Sequence, residues 1–316
     1  MERRALGQTG LELSTVGFGT WATGGDYNAI SLGSADDEES IAAIHAALEI
    51  GVSWIDTAAA YGLGHAERVV ARALKGMREP PLVFTKCGFV WDDAGAVSVD
   101  LSPASIREQI DASLGRLETN TIDLCQIHWL NPENDPELED CWSTLGELKQ
   151  AGKLRHIGVS NLTVAQMRRA SAIHPVETLQ PPYSLLERGI EAEILPYCVE
   201  QDIGVIVYSP MQSGLLTGRM TRERIAALPD TDARLVDDPN FSEPRLTESL
   251  ALAKRLSVLA EEWGFSPGGL AVAWTVAQPG IDGAIVGFRR PAQVQDVLGR
   301  RPLELSPEQV AALDKF

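Results

Sequence analysis

Short runs of apolar and β-branched residues alternate along this chain with longer segments whose apolar residues recur every three or four positions. A short apolar run predicts a β-strand, and a period of three to four residues predicts an amphipathic helix. The predicted strands are residues 16–19, 53–56, 82–86, 122–128, 156–160, 178–180, 204–209 and 283–287. The clearest helical segments between them are residues 38–50, 103–117, 136–151 and 163–173.

Eight strand–helix units without a break in composition predict a closed parallel barrel, a (β/α)8 TIM barrel that occupies residues 1–316 as a single domain. An open doubly wound sheet could use similar units, but the number of strands favours closure. Ahead of the barrel, residues 4–6 and 11–14 flank a glycine-bearing turn at 7–10. This pattern predicts a β-hairpin that caps the bottom of the barrel.

A long stretch after the seventh predicted strand, residues 212–245, is interrupted by several glycines and prolines. Connections in compact domains are usually much shorter, so a segment of this length needs a reason. Because it leaves the end of a strand, we expect a lid over a bound cofactor. A disordered surface excursion is the alternative.

Composition narrows the class of protein. Hydrophobic residues make up 44% and charged residues 22% of the chain, which is typical of a globular protein with a large core. The 27 basic and 44 acidic residues give a formal charge of −17, which disfavours binding to nucleic acid or to a membrane surface. With no long apolar run and no signal-peptide core, we expect a soluble, cytoplasmic protein.

The cysteines argue for a reducing compartment. They form no CxxC pair, which favours reduced thiols and argues against a structural metal site. These residues are Cys87, Cys125, Cys141 and Cys198. We therefore predict no metal site in this chain.

Four chemically active side chains follow the second, third and fourth predicted strands. Asp56, Lys86 and His128 close their strands, and Tyr61 follows in a loop that two glycines keep open. The C-terminal ends of barrel strands are where TIM-barrel enzymes place their chemistry. We therefore expect these four residues to form one catalytic site, although each taken singly could be a solvated or hydrogen-bonded bystander.

The types of these residues suit proton donation to a carbonyl group. A phenol with a pKa of about 10 is a poor acid at neutral pH. We expect Lys86, held by Asp56, to lower the pKa of Tyr61 by about two units, which requires roughly 3 kcal/mol. His128 would hydrogen-bond the substrate oxygen and orient it. These residues offer no source of electrons, which predicts a bound nicotinamide.

In this order the four residues resemble the catalytic tetrad of the aldo-keto reductase superfamily. The likeness covers nearly the whole chain and rests on residues 17–21 (GFGTW), 126–129 (QIHW), 152–161 (GKLRHIGVSN) and 287–289 (GFR). Residues 180–184 (QPPYS) and 214–218 (GLLTG) look most like bacterial general-stress aldo/keto reductases. The resemblance implies a monomeric enzyme that reversibly reduces aldehydes and ketones, with hydride from NADPH and the proton from Tyr61.

The resemblance also implies the residues that bind the nicotinamide and the pyrophosphate. Ser160, Asn161 and Gln180 would bind the nicotinamide carboxamide. Tyr208 would stack on the ring, unless it is a core aromatic. The other implied cofactor contacts are Gly19, Thr20, Trp21, Ser209, Pro210, Met211, Ser213, Gly214, Leu215 and Gly287.

The end of the eighth predicted strand would hold the adenosine half of the cofactor. By resemblance, Arg289 contacts the 2′-phosphate and Gln293 the adenine, which favours NADP over NAD. Arg290 could bind the same phosphate or remain a solvated surface charge. Relatives often carry an acidic residue followed by Asn here, whereas in this chain Asp296 is followed by Val297. This departure implies a lost adenine contact, with either a lower cofactor affinity or a weaker preference for NADP, while the arginines keep the cofactor class.

Three tryptophans fall in loops after the first, third and fourth predicted strands, and they are the candidates for a substrate pocket: Trp21, Trp91 and Trp129. An apolar wall of this kind would favour small hydrophobic or aromatic aldehydes, while sugar-derived and dicarbonyl substrates stay open. Trp91 could equally pack against a neighbouring loop.

Three other functions compete with this one. Residues 17–22 (GFGTWA) approximate a dinucleotide-binding fingerprint, but a polar loop delays the next helix to the acidic run at 36–39. A non-catalytic NADP-binding sensor resembling channel β subunits is the main alternative, and the complete tetrad argues against it. A barrel lyase or isomerase that uses Lys86 as a Schiff-base nucleophile is disfavoured because Asp56 would stabilise the ammonium.

Overall fold

Eight parallel strands hydrogen-bond side by side and close on themselves, so the predicted (β/α)8 TIM barrel is confirmed. The computed structural model describes residues 1–25, 33–230 and 232–316. Within them the strands are β1 (Arg3–Ala5), β2 (Glu12–Ser14), β3 (Val16–Gly19), β4 (Trp54–Asp56), β5 (Leu82–Cys87), β6 (Phe89–Trp91), β7 (Val97–Val99), β8 (Ile122–Ile127), β9 (Leu154–Ser160), β10 (Thr178–Gln180), β11 (Gly204–Val207) and β12 (Gly283–Gly287). Around the barrel the order is β3, β4, β5, β8, β9, β10, β11, β12 and back to β3.

The helices of the described residues follow the strands. They are α1 (Asp37–Glu49), α2 (His65–Leu74), α3 (Pro103–Arg116), α4 (Leu138–Gln150), α5 (Val164–Ser171), α6 (Ile194–Glu200), α7 (Arg222–Ala226), α8 (Ala233–Asp237), α9 (Arg245–Trp263), α10 (Pro267–Ala277), α11 (Pro291–Leu298) and α12 (Pro307–Leu313). Short 3₁₀ turns lie at Gly7–Thr9, Trp21–Thr23, Asp135–Glu137, Gly189–Glu191, Gln212–Thr217 and Pro239–Phe241. The four helices predicted most clearly end within two residues of the predicted positions.

Local capping explains where several helices begin. Before α1, the Asp36 carboxylate accepts the backbone N–H of Glu39 over 2.9 Å. Before α5, Thr163 and Gln166 form a reciprocal capping box. Because α1 begins only at Asp37, within the acidic run, the glycine-rich segment at 17–22 does not open an α-helix and is not a dinucleotide fingerprint.

The N-terminal hairpin closes the bottom of the barrel, as predicted. Strands β1 and β2 pair antiparallel, and the buried side chains of Leu6 and Leu13 belong to the same apolar cluster as Trp54. Two glycines make room for that indole. A Cβ at Gly17 would lie 2.3 Å from the Trp54 ring, and one at Gly283 would lie 3.0 Å from it. The barrel floor is therefore an apolar plug with polar side chains above it.

Strand alternation puts the predicted catalytic residues above this floor. Side chains at every second position of a strand point to the same face. Trp54 and Phe84 belong to the floor cluster. Asp56 and Lys86 follow them by two positions on β4 and β5, and they therefore point into the same barrel interior.

Two regions differ from the prediction. A second hairpin of β6 and β7 follows β5, and it places Trp91 on a strand rather than in a loop. Its three-residue strands are too short for a period of two to stand out. The described part of residues 212–245 is not irregular, because it contains α7, α8 and two 3₁₀ turns. The Thr221 and Asp232 side chains cap α7 and α8, a signal that the prolines nearby obscured.

Candidate active site

Lys86 lies at the centre of a hydrogen-bonded group at the mouth of the barrel. Its Nζ donates to Oδ1 of Asp56 (2.5 Å), to the backbone carbonyl of Thr57 (3.0 Å) and to the hydroxyl of Tyr61 (3.5 Å). The Lys86 and Asp56 side chains are 1% and 3% exposed. The ammonium thus has three acceptors, and two of them are residues that the sequence placed in the site.

His128 joins this group from the end of β8. Its ring lies edge-on to the Tyr61 ring, with centroids 5.6 Å apart, and edge-on to Phe89 at 5.0 Å. Phe89 belongs to β6, so the unpredicted hairpin supplies one wall of the site. The structure therefore brings the four predicted catalytic residues together.

Burial and the neighbouring charges set the charge states of the group. Burial opposes the Lys86 cation, but the interactions of its Nζ with the Asp56 carboxylate and the Tyr61 oxygen outweigh burial and raise the pKa of Lys86. Burial lowers the pKa of His128 well below its usual 6.5, and the Lys86 cation lowers it further. At neutral pH the site therefore holds an ammonium beside a neutral imidazole, which can donate a hydrogen bond to a substrate oxygen.

The expected net fall in the pKa of Tyr61 is wrong, although Lys86 itself acts in the expected direction. Burial raises the pKa of Tyr61 above its usual 10.0, and Lys86 offsets only part of the rise. Desolvation penalises the phenolate, and the Lys86 ammonium also bonds to the Asp56 carboxylate. Tyr61 consequently keeps its proton throughout the neutral range, which is the state that a proton donor requires.

The residues that the resemblance assigns to the nicotinamide form a connected polar row. The Ser160 hydroxyl donates to the backbone carbonyl of Gln180 (2.7 Å), and Nδ2 of Asn161 donates to the Ser160 hydroxyl (3.0 Å). The Tyr208 hydroxyl donates to Oδ1 of Asn161 (2.9 Å). Tyr208 is half-buried and tethered at its polar end, so it is not a purely apolar core residue.

Gln180 also contacts the acid–base group, which the sequence did not predict. Its Nε2 donates to Oδ2 of Asp56 over 2.9 Å, and both residues are 2% exposed. Burial raises the pKa of Asp56 above its usual value, and Lys86 and Gln180 offset only part of that rise. Both carboxylate oxygens of Asp56 thus accept hydrogen bonds, as an ionised carboxylate does.

The segment after β11 contains a cluster of left-handed backbone conformations. Positive φ values occur at Ser209 (58°), Gln212 (44°), Ser213 (50°) and Gly214 (100°). A residue of negative φ followed by one of positive φ, here Met211 (−103°) and Gln212, turns successive N–H groups toward one point, a geometry that binds anions. The other residues assigned to the pyrophosphate lie in the same turn: Pro210, Met211 and Leu215. Their contact with a pyrophosphate stays a prediction.

The end of β3 is bonded to the acid–base group. The backbone N–H and the hydroxyl of Thr20 donate to the backbone carbonyl of Asp56 (3.0 and 3.1 Å). Gly19 pairs with Asp56 in the barrel sheet, and Trp21 begins the 3₁₀ turn that follows. The chain beyond this turn enters residues 26–32, which lie outside the described residues.

A group of arginines surrounds the end of β12. Among the residues that the structure describes, the charged side chains within electrostatic range of Arg289 include Arg224, Asp232, Arg234 and Arg290. Both oxygens of Asp232 accept hydrogen bonds from the Arg234 guanidinium (2.8 and 2.6 Å). Burial and the nearby arginines lower the pKa of Arg289. This local excess of positive charge, in a chain of net charge −17, suits a phosphate.

The Gln293 side chain accepts hydrogen bonds from the backbone just before α11. Its Oε1 accepts the N–H groups of Arg289 (2.7 Å) and Arg290 (3.2 Å). The amide nitrogen is then the end of Gln293 that could reach an adenine. Val297 is buried in the core, so this position offers no polar group to a ligand, in line with the departure noted in the sequence.

The predicted substrate tryptophans have different surroundings. Trp91 lies on β6 with the Arg116 guanidinium 5.7 Å from its ring centroid, so it packs against a neighbouring element. Trp129 directly follows His128 and is 45% exposed, and Trp21 is half-buried. A substrate-binding role for these tryptophans stays a prediction.

Other classes of site find little support in the described parts of the chain. No three or more His, Cys, Asp or Glu side chains are grouped there so that they could hold a metal ion. None of the helices described above is both long and apolar enough to cross a lipid bilayer. Burial raises the pKa of the Cys198 thiol to about 12, which leaves it unreactive at neutral pH.

Comparison with known proteins links nearly the whole chain to one group. A family model described as the aldo/keto reductase family matches residues 15–316. The chain is 40% identical to aldo-keto reductase YhdN of Bacillus subtilis (strain 168) over 298 residues, 93% of this chain and 87% of that protein. It is 34% identical to the NADH-specific methylglyoxal reductase of Escherichia coli (strain K12) over 319 residues, 97% of this chain and 95% of that protein. The solved structure of glycerol dehydrogenase AKR11B4 from Gluconobacter oxydans superposes with a TM-score of 0.84 at 39% identity, covering 96% of this chain and 91% of that one.

Proposed function

Because this chain belongs to the aldo/keto reductase family, we propose that it reduces small aldehydes and ketones with NADPH and that Tyr61 donates the proton. Family membership agrees with the resemblance seen in the sequence, and it makes the protein an oxidoreductase acting on carbonyl and alcohol groups. The closer likeness to general-stress enzymes stays a prediction. One observation carries the proton-donor assignment, which is the 3.5 Å contact between the Tyr61 hydroxyl and the Lys86 ammonium.

Tyr61 suits the donor role because its protonated state and its product state are both stabilised. Burial keeps the hydroxyl protonated at neutral pH. When the proton leaves for the substrate oxygen, the phenolate forms beside the Lys86 cation, which Asp56 holds in place. His128 is neutral at this pH and donates an N–H to the same substrate oxygen, which orients the carbonyl.

The donors and acceptors on the other side of the mouth fit a nicotinamide carboxamide. That group both donates and accepts hydrogen bonds, and Ser160, Asn161 and Gln180 offer a hydroxyl and two amides. The Asn161 amide is held by the Ser160 hydroxyl, and the Gln180 amide is held by Asp56. Tyr208, tethered to Asn161, would stack on the ring. When bound, the cofactor supplies the hydride that reduces the carbonyl carbon. The protein's own residues hold the cofactor and position the substrate beside Tyr61.

The arginines at the end of β12 support NADPH over NADH. The two cofactors differ by the adenosine 2′-phosphate, which guanidinium groups bind well. Arg289 has three arginines within electrostatic range, and the nearby Asp232 carboxylate is already bound by Arg234. The Escherichia coli relative is named NADH-specific, so cofactor preference varies among relatives and has to be measured for this chain.

Residues 212–245 are proposed to cover the bound cofactor. The Arg219 guanidinium lies 3.3 Å from Asp296 of α11, which ties the segment to the helix that follows Arg289. Within the segment, Gln212 bonds to Asp238 (3.0 Å), and it also bonds to Ser184 (2.8 Å) on the loop after β10. These bonds support a lid that lies beside the end of β12.

The substrate is proposed to be a small carbonyl compound. Relatives of this chain are named for methylglyoxal and for glycerol, both of which have three carbons. Trp21 and Trp129 would add contacts to aromatic aldehydes. A panel for the first assay is therefore methylglyoxal, glyceraldehyde and 4-nitrobenzaldehyde.

Fluorescence titration with NADPH and with NADH, followed by an assay at 340 nm against this panel, tests the proposal. We expect NADPH to bind at least about tenfold more tightly than NADH and to be oxidised by one or more of the aldehydes. Tighter binding of NADH would overturn the cofactor preference. Binding without turnover across the panel would instead favour the non-catalytic sensor.

Tyr61→Phe tests the proton donor. We expect kcat to fall by about 10²- to 10⁴-fold, because the substituted ring has no proton to give, while NADPH affinity is unchanged. Tyr197→Phe is the matched control, because Tyr197 lies on α6 against Arg168 and should keep full activity. A Tyr61→Phe enzyme that retains the normal rate would rule out Tyr61 as the acid.

A further inference from the structure

The Gln180 side chain makes a hydrogen bond that crosses the barrel. Its Nε2 lies 2.9 Å from Oδ2 of Asp56. Gln180 ends β10 and Asp56 ends β4, and these strands lie opposite each other in the ring of eight. The bond therefore joins the residues assigned to the nicotinamide directly to the acid–base group.

Glycines leave room for side chains of the barrel lining on both sides of this contact. A Cβ at Gly158 would lie 1.9 Å from the Thr178 hydroxyl, two residues before Gln180 on β10. A Cβ at Gly19, beside Asp56 in the sheet, would lie 2.7 Å from Ile285. Because these positions carry no side chain, Thr178 and Ile285 can pack in the barrel lining beside the two residues that meet.

The bond fixes the orientation of the Gln180 amide. Oδ1 of Asp56 accepts from Lys86 and Oδ2 accepts from Gln180. A carboxylate can only accept hydrogen bonds, so the NH₂ group of Gln180 has to face Asp56 and its Oε1 has to face another way. An amide oxygen held in this direction can accept a hydrogen bond from the NH₂ group of a carboxamide.

Asp56 depends on Gln180 in turn. Without that amide, Oδ2 would be a buried carboxylate oxygen that has lost its donor, which is costly. The carboxyl could then rotate to regain a partner and loosen its hold on the Lys86 ammonium. The position of the cation beside Tyr61 therefore rests on a residue from the far side of the barrel.

We infer that Gln180 is a positioning residue of the acid–base group as well as a cofactor contact, and that its bond to Asp56 couples the two. The nicotinamide contact rests on the proposed function. Two consequences follow. Cofactor affinity should depend on Asp56, and the catalytic rate should depend on Gln180 even when the cofactor is saturating.

A double-mutant cycle on NADPH affinity tests the first consequence without using turnover. Gln180→Met should raise the Kd for NADPH about tenfold, the effect of losing one good hydrogen bond. Asp56→Asn should also raise the Kd about tenfold, because the Gln180 side-chain amide is then free to reverse its orientation. The double variant should bind no more weakly than Gln180→Met alone. An unchanged Kd in Asp56→Asn, or effects that multiply in the double variant, would overturn the coupling.

The split between kcat and cofactor affinity tests the second consequence. At saturating NADPH, Gln180→Met should still show a kcat lowered about tenfold, because Lys86 is less firmly placed beside Tyr61. If Gln180 only bound the cofactor, saturation would restore the rate. Full recovery of kcat at saturation would thus overturn the positioning role, and this arm remains available if Asp56→Asn fails to fold.

Controls separate this inference from the proposed function. Gln278→Met makes the same substitution at the C-terminal end of α10, where Gln278 bonds to Trp274 and Asp314. It should change neither the Kd for NADPH nor kcat. If the wild-type protein binds NADPH but reduces no carbonyl compound, the proposed function fails while the affinity cycle still decides the coupling. If the wild-type enzyme turns over and the cycle is additive, the inference alone fails.

Discussion

Strand β5 has a buried ion pair on each of its two faces, and only one of them belongs to the candidate active site. Inside the barrel, Nζ of Lys86 lies 2.5 Å from Oδ1 of Asp56. Outside it, the Thr85 hydroxyl donates to Glu67 (2.6 Å), and Glu67 pairs with Arg116 (2.6 Å). The two pairs are buried to a similar extent. The Lys86 and Asp56 side chains are 1% and 3% exposed, and the Arg116 and Glu67 side chains are 13% and 0% exposed.

The two pairs differ in what lies beside the cation. The Lys86 ammonium contacts the Tyr61 hydroxyl, a group that can exchange a proton with a ligand. The Arg116 guanidinium instead lies against the Trp91 ring, 5.7 Å from its centroid. Burial and opposite charge therefore do not identify a catalytic site by themselves. A titratable group next to the pair, at an open strand end, is the more useful signal.

Removing the cation from each pair should separate the two roles and gives the largest expected effect. Lys86→Met should lower kcat for carbonyl reduction by about 10²- to 10⁴-fold, because the phenolate of Tyr61 loses its counter-charge. Arg116→Met should leave kcat per folded molecule within about twofold, because Arg116 lies on the outer side of the barrel wall. Steady-state assays on protein checked for folding by circular dichroism measure both.

Both substitutions leave a carboxylate buried without its cation. Each should therefore lower the free energy of unfolding by about 3–5 kcal/mol, as followed by urea titration. If the two variants lose equal stability but only Lys86→Met loses kcat, the two ion pairs are equally structural and only the inner one is catalytic. If folded Arg116→Met lost as much kcat as Lys86→Met, the outer pair would be part of the catalytic group.

The pH dependence of reduction tests the charge states inside the barrel. Burial holds the pKa of His128 well below 6.5, so the imidazole does not titrate above that pH. Burial raises the pKa of Tyr61 above 10.0, so the acid loses its proton only beyond that pH, and the rate then falls about tenfold per pH unit. We expect kcat/KM to be level between pH 7 and pH 9. A decline near pH 6.5 that disappears in His128→Gln would show that the imidazole titrates in the neutral range.

Asp282, a third carboxylate near the bottom of the barrel, gives the smallest expected effect. It accepts the N–H of Val205 (2.8 Å), and burial raises its pKa to about 6. The folded state thus holds this proton more tightly than the unfolded chain does. Its stabilising effect is present at acid pH and is lost as the pH rises through about 6. With an allowance for partial exposure, the loss is about 1–2 kcal/mol.

Asp282→Asn should remove this pH dependence. The amide oxygen can still accept the Val205 N–H, so we expect the variant to be about 1 kcal/mol more stable than the wild type at pH 7.5 and no more stable at pH 4. Urea unfolding at the two pH values measures the difference, with the exposed Asp93→Asn as control. A variant that is less stable than the wild type at pH 7.5 would count against the raised pKa.

Much of the fold and of the acid–base group could be predicted from the sequence. The apolar runs before Asp56, Lys86 and His128 are strong local signals, and a barrel makes the ends of its strands meet. The second hairpin was missed because its strands are short, although an apolar run, a turn sequence and a second apolar run are present from Phe89 to Val99. The backbone carbonyl of Thr57 had no sequence signal at all, because every residue has one.

The resemblance located the polar row but not its internal bonding. It placed Gln180 with the nicotinamide, whereas the structure also bonds Gln180 to Asp56. Arg234 lies on a helix of only five residues in the segment after β11, and its approach to Arg289 could not be foreseen. Contacts of this kind join residues that are distant along the chain, so no local pattern records them.

The sequence by itself determined the alternation of strands and helices, the residue types at the strand ends and the family. These follow from local periodicity and from short motifs, which depend on residues close together in the chain. Only the tertiary structure decided the charge states of Tyr61 and His128 and the bond between Asp56 and Gln180. The physical reason is that desolvation and hydrogen bonding depend on every atom packed around a group, and those atoms come from strands on all sides of the barrel.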